Sequence, residues 1–282
     1  MYELSLTATV EASDLDATCA VLSGVCGMPP WESIQRVLYF QGPPRPAGIS
    51  NQSSNDKPIR KETTGQVWKE LHQNLSRQSY VLQARYEVSK DDGMGPNAPP
   101  MDLDATPGIL RWTDFPDPPR GQPLLIQRKK IELWDQTRIP SILRDNQHQF
   151  KNETIEETYR FVRDDVEFTL VRHHPIRPIV EYVPFETRTN APAPPISNLP
   201  SWESLAPIDQ QDRWILQVKT HVLQDNQPEE IRKAQEKLLA IRSEFDGVFN
   251  FRPIDRKVYD TRIAQQPQGI QALPQRVTLG KV

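Results

Sequence analysis

The stretch RWILQVKTHVLQDNQPEEIRKAQEKLLAIRSEFDG, residues 213–247, holds two periodicities back to back. From 213 to 223 the side chains alternate: Trp214, Leu216, Val218, Thr220 and Val222 fall on one face, and Arg213, Gln217, Lys219 and His221 share the other with Ile215 and Leu223. A period of two is that of a β-strand. Residues 225–229 then carry a helix start: Asn226 is a candidate N-cap, Glu229 stands three residues on, and Pro228 is tolerated in a first turn. Ile231, Ala234, Leu238, Ile241 and Phe245 recur at spacings of three and four, and Gly247 stands where a left-handed C-cap stops a helix. A half-polar strand followed by a helix with one apolar stripe predicts a sheet covered by helices.

The remainder repeats the strand pattern. Residues 2–10 alternate Tyr2, Leu4, Leu6, Ala8 and Val10 against Glu3, Ser5, Thr7 and Thr9; 33–40 and 80–88 are further strands. Segments 109–115 and 124–134 flank Asp117-Pro118-Pro119 and are expected to pair, and 154–173 turns back at Arg163-Asp164-Asp165 as a hairpin. Segment 176–183, interrupted at Pro178, and 275–279 are weaker strand candidates. Ser13 with Asp16 opens a helix that Gly27 and Pro29-Pro30 end, and Val67, Trp68, Leu71 and Leu75 space a short one. Loops rich in Pro, Gly, Ser and Asn span 42–64, 91–107 and 184–207, and a Gln-rich tail spans 265–282. The first two read as mobile, because little in them can offset their ordering entropy. Eight or more half-polar strands against about three helices predict an α+β, mainly β fold over residues 1–282: one closed antiparallel β-barrel domain with flanking helices.

Composition narrows the function. The 282 residues include 27 prolines and have a mean hydropathy of -0.64, which implies much loop and a modest core. A net charge of -3 and a pI near 6.0 give no general pull toward nucleic acid or acidic membranes. No apolar run approaches the ~18 residues of a membrane span, so a soluble intracellular chain is expected. Cys19 and Cys26, seven residues apart in a helix, would lie ~10 Å apart, beyond the ~7 Å reach of a disulfide. Both are expected as buried thiols.

Little chemistry is visible. His72, His148, His173, His174 and His221 are scattered, and the adjacent pair points to opposite faces of a strand. No nucleophile elbow, phosphate loop or dinucleotide fingerprint occurs. No catalytic, cofactor-binding or metal-binding residue is assigned. The polar strand faces carry Glu3, Arg85, Glu156, Arg160, Glu167, Arg213, Lys219 and His221. In a barrel these could line one lumen and, through a bridging metal, hold a polyphosphate, which makes a barrel hydrolase the alternative function. The expected reading is that they form the solvated side of the sheet.

Four strings resemble a known family: WKELHQNLSRQSYVLQARYEV (68–88), MDLDATPGILRWTDFPDPP (101–119), FKNETIEETYRFVRDDVEF (150–168), and RWILQVKTHVLQDN with PEEIRKAQEKLLAIR (213–242, broken at Gln227). They are similar to fungal Mediator complex subunit 18. The resemblance implies a β-barrel with flanking helices, akin to the tunnel-barrel triphosphatases without their chemistry. Those enzymes carry Glu-x-Glu-x-Lys on the first strand, whereas Glu3 here is followed by Ser5 and Thr7. It further implies a non-enzymatic subunit of the Mediator head module in the nucleus, linking regulators to RNA polymerase II. Its implied partners are subunit 20, a C-terminal helix of subunit 8 and the other head-module subunits, with no membrane and no direct nucleic acid contact.

One partner-binding surface follows from helical spacing. In the helix after Ser13, Leu15, Cys19, Leu22 and Cys26 form a stripe that the barrel can cover, while Val21 and Val25, beside Thr18, form a second. Surplus apolar surface of this kind suits a neighbouring helix.

Overall fold

In a computed structural model, which describes residues 1–50, 64–119, 121, 123–177, 194–223 and 227–264, the alternation becomes eight strands. They are β1 (Tyr2–Val10), β2 (Trp31–Gln41), β3 (Val81–Glu87), β4 (Gly108–Thr113), β5 (Ile126–Gln136), β6 (Gln149–Arg163), β7 (Val166–Pro175) and β8 (Trp214–Val222). The order is β1-β5-β4-β3-β2-β6-β7-β8, and β8 returns to β1 from Tyr2↔Val222 to Val10↔Trp214, closing the barrel. Every neighbouring pair is antiparallel. Helices α1 (Leu15–Cys26), α2 (Thr64–Arg77), α3 (Ile139–Asp145) and α4 (Pro228–Glu244) complete the described fold.

The apolar strand faces point outward, so the core is a shell around the barrel. On one side α4 sets Ala234, Leu238 and Ile241 against Leu4, Leu6, Leu216 and Val218, and α1 adds Leu22. On another, Trp68, Leu71 and Leu75 of α2 and Ile139 and Leu143 of α3 cover Leu82, Tyr86, Leu110 and Leu133. A third cluster joins Ile34, Val88 and Ile155 to Met94 and Leu199 from the connecting segments. The polar faces are left to the lumen. They are therefore not the solvated outer side of a sheet, because closure and the helical coat reverse which face meets bulk water.

Several boundaries differ from the sequence reading. α1 begins at Leu15 after a short 3-10 turn, with Asp14 rather than Ser13 at its N-cap; Gly27 ends it at φ 66°, donating its N–H to the Ser23 carbonyl at 2.8 Å. Asn226 lies outside the described residues, and α4 starts at Pro228 with Gln227 as N-cap. The strand candidate at 176–183 begins after β7 has ended at Pro175 and is described only at residues 176 and 177, and the candidate at 275–279 lies wholly outside the described residues. The segments 42–50 and 91–107 are irregular yet pinned. Ile49 is buried under α2, where His72 Nδ1 lies 2.8 Å from its carbonyl oxygen, and Met94 and Ala98 are buried. Buried apolar residues anchor these described segments, and residues 51–63 of the predicted 42–64 loop lie outside the described residues.

Candidate functional site

Cross-strand pairing puts the charged residues of seven strands on the inner wall. Glu3 faces Arg128 and His221, Arg111 faces Glu132, Glu156 faces His173, and Glu167 faces Lys219. The resulting ion pairs are Arg128–Glu3 at 2.8 Å, Lys130–Glu3 at 3.1 Å, Arg111–Glu132 at 2.6 Å and Arg160–Glu167 at 3.4 Å, with Arg85 hydrogen-bonded to Glu156. Looser contacts of 3.6 Å join Lys130 to Glu132 and Lys219 to Glu167. Arg85 also donates to the side-chain oxygens of Gln35 and Gln83 at 2.9 and 3.0 Å.

The network fixes protonation. Burial works to raise the Glu156 carboxyl, but Arg85, His173 and Arg111 outweigh it and hold the group well below the usual range. Glu167 is likewise held at about 2, with burial opposed by Lys219 and Arg160, and Glu3 falls through Arg128, His221 and Lys130 against burial. The Lys219 ammonium is pulled down, first by burial; Glu167 and Glu3 oppose this while Lys130 and Arg111 reinforce it. Each carboxylate is thus engaged by a cation. Among the described residues, no group of three or more His, Cys, Asp or Glu is placed to hold a metal ion.

The two mouths differ. Where β1 finishes, a cavity of ≈ 450 Å³ is lined by Tyr39, Thr154, His173, Ile208, Ile215 and the Asp209–Arg213 pair, which closes at 2.7 Å. At the end where β1 starts, Trp31, Trp134, Val162 and Leu223 occupy inner-face positions at the ends of β2, β5, β6 and β8 and are 62%, 56%, 42% and 85% exposed. This apolar rim was not singled out from sequence. The signal was present: each residue is apolar at a position whose parity is otherwise polar, such as Trp134 after Glu132 and Leu223 after His221.

The family model described as Med18 protein matches residues 2–262. The chain belongs to the Med18 family. A relative from Coccidioides immitis (strain RS), described as Mediator of RNA polymerase II transcription subunit 18, is 22% identical over 285 residues, covering 93% of this chain and all of that one. A chain in the structure of the Schizosaccharomyces pombe Mediator head module superposes with a TM-score of 0.58 at 14% identity, covering 89% of this chain and 98% of that chain. At that identity the likeness speaks to the fold.

In this Med18-family chain the surface read onto α1 is narrower than its spacing suggested. Thr18 is 6% exposed, Val25 is half-buried against the core shell, and Val21 alone is exposed, at 40%. α1 packs on β6 with Thr18 buried as well as Leu22, so the flank bearing Thr18 is covered too. Cys19 and Cys26 are free, half-buried thiols, and burial raises both above the usual thiol range.

Proposed function

We propose that the chain is a non-enzymatic interaction subunit of the Mediator head module, acting in the nucleus and linking regulators to RNA polymerase II transcription. The family match over residues 2–262 carries this reading. The likeness to a head-module chain supports it at the level of fold. Subunit 20 and the C-terminal helix of subunit 8 are the proposed direct partners. The rim of Trp31, Trp134, Val162 and Leu223 supports docking of a neighbouring head-module subunit, since exposed apolar clusters of this kind mark protein interfaces. Val21, with the flanking Thr18 and Val25, is the proposed second contact.

The lumen supports the absence of catalysis. Glu3, Glu132, Glu156 and Glu167 are each tied to Arg or Lys, and the first strand follows Glu3 with Ser5 and Thr7 rather than a second carboxylate. A triphosphatase assay with Mn²⁺ or Mg²⁺ is expected to give no turnover. Metal-dependent turnover that Glu3→Ala and Glu156→Ala abolish would overturn the reading.

A further inference from the structure

The inner wall carries more positive than negative charge. Among the described residues, six cations point inward from the walls, Arg85, Arg111, Arg128, Lys130, Arg160 and Lys219, and they share four carboxylates, Glu3, Glu132, Glu156 and Glu167. Six less four leaves a surplus of two positive charges. The exposed Glu87 at the end of β3 and the Asp209–Arg213 pair at the mouth lie outside this set. Protonation of the acids cannot enlarge the imbalance at neutral pH, since all four are held in the ionised form by the cations around them.

The surplus is concentrated at one level. Arg111 on β4 is the same-face diagonal neighbour of Arg85 on β3, two residues offset across the Gln83↔Arg111 and Arg85↔Ile109 pairs, and likewise of Lys130 across the Arg111↔Glu132 and Thr113↔Lys130 pairs. Lys219 faces Glu167 on β7 and Ser5 on β1, one strand from Lys130. Mutual repulsion is felt: Arg111 weakens protonation of both Arg85 and Lys219, and Lys130 weakens that of Lys219. Two of the contacts to carboxylates are 3.6 Å, longer than a hydrogen bond, so Lys130 and Lys219 retain donor capacity there. The wall is also reached by solvent, with the side chains of Arg111, Arg160 and Lys219 25%, 33% and 15% exposed.

We propose that the lumen binds a small dianionic oxyanion group, phosphate or sulfate, on the belt of Arg85, Arg111, Lys130 and Lys219. Two negative charges cancel the surplus, and a tetrahedral group accepts from donors converging from several strands, as Arg and Lys clusters do elsewhere. The group is either a free ion or the terminus of a larger molecule that enters by the ≈ 450 Å³ mouth. The site binds without turnover and does not depend on the subunit assignment.

The test is thermal melting of the full chain at constant ionic strength in chloride, phosphate, sulfate, tripolyphosphate and ATP, with calorimetric titration of phosphate. Phosphate and sulfate are expected to raise the melting temperature and to bind with a dissociation constant of about 1 mM or tighter. Tripolyphosphate or ATP binding at least about tenfold tighter, about 1.4 kcal/mol, identifies the tethered source; equal or weaker binding identifies the free ion. Lys219→Met is expected to melt above the parent in chloride and to lose the phosphate response. No heat and no rise with phosphate or sulfate on the parent chain overturns the proposal, as does a response undiminished in Lys219→Met. If that variant does not fold, Arg111→Met, which removes another member of the belt, carries the same comparison.

Discussion

Arg36 and Glu153 are 0% and 1% exposed on the outer wall, and Arg36 closes on Glu153 at 2.5 Å while donating to the Ile196 carbonyl at 2.7 Å. Glu153 in turn accepts the Ile196 N–H at 2.9 Å, so the pair clasps the 194–199 segment to β2 and β6. Removing one partner of such a buried pair leaves an uncompensated charge. Glu153→Gln is expected to cost ~3–5 kcal/mol, whereas Arg36→Met with Glu153→Met regains most of the loss. Urea denaturation of the three variants checks this, and a single-variant loss under ~1 kcal/mol would place the pair in water. The lumen acids predict the acid limb of stability. A carboxyl held low in the folded state stabilises above its ordinary value, and that contribution drains as pH falls through the folded value. For Glu167 the window runs from 4.5 down to about 2, so Glu167→Gln is expected to flatten the stability profile there and an unchanged slope would contradict the assignment. Sequence made part of this network legible, since Glu3, Arg85, Glu156, Arg160, Glu167, Lys219 and His221 each fall on the polar face of an alternating strand; Arg111, Arg128, Lys130 and Glu132 were not singled out, and Arg213 lies at the mouth, paired with Asp209. It did not reveal that the shared face is enclosed, because a period of two sorts side chains into two sets and says nothing of which set meets water.

Among the elements, those with long uninterrupted periods were read best. β1 keeps its limits of Tyr2–Val10, β8 and α4 follow the alternation and the three–four spacing, and the 154–173 hairpin becomes β6 and β7. α3 was missed. It has seven residues, starts with Pro140 in its first turn after the positive-φ residue Arg138, and buries only Ile139, Pro140 and Leu143, too little to show a period. α1 was found, but its exposed face is narrower than its spacing suggests, because spacing gives the angles between side chains and not which flank the sheet covers. This yields a contrast within one turn. Leu22→Asp, at 0% exposure, is expected to unfold the chain, while Val21→Asp is expected to leave melting within ~0.5 kcal/mol of the parent. Circular dichroism melts decide, and unfolding by Val21→Asp would mean that α1 is covered on both sides.

At the scale of the molecule, the barrel turns the usual arrangement outward. Helices α1, α2, α3 and α4 wrap the apolar side, and the ion pairs line the inside. Such a scaffold frees its mouths and loops for contact, and the rim holding Trp31 and Trp134 leaves large apolar side chains uncovered. The direct measurement is affinity purification of the tagged full chain from nuclei of its source organism, with mass spectrometry of what accompanies it, beside a Trp31→Ala, Trp134→Ala variant. Recovery of the Mediator head subunits by the parent, and fewer of them by the folded variant, is the expected result. A parent chain that purifies without any Mediator subunit would contradict the account.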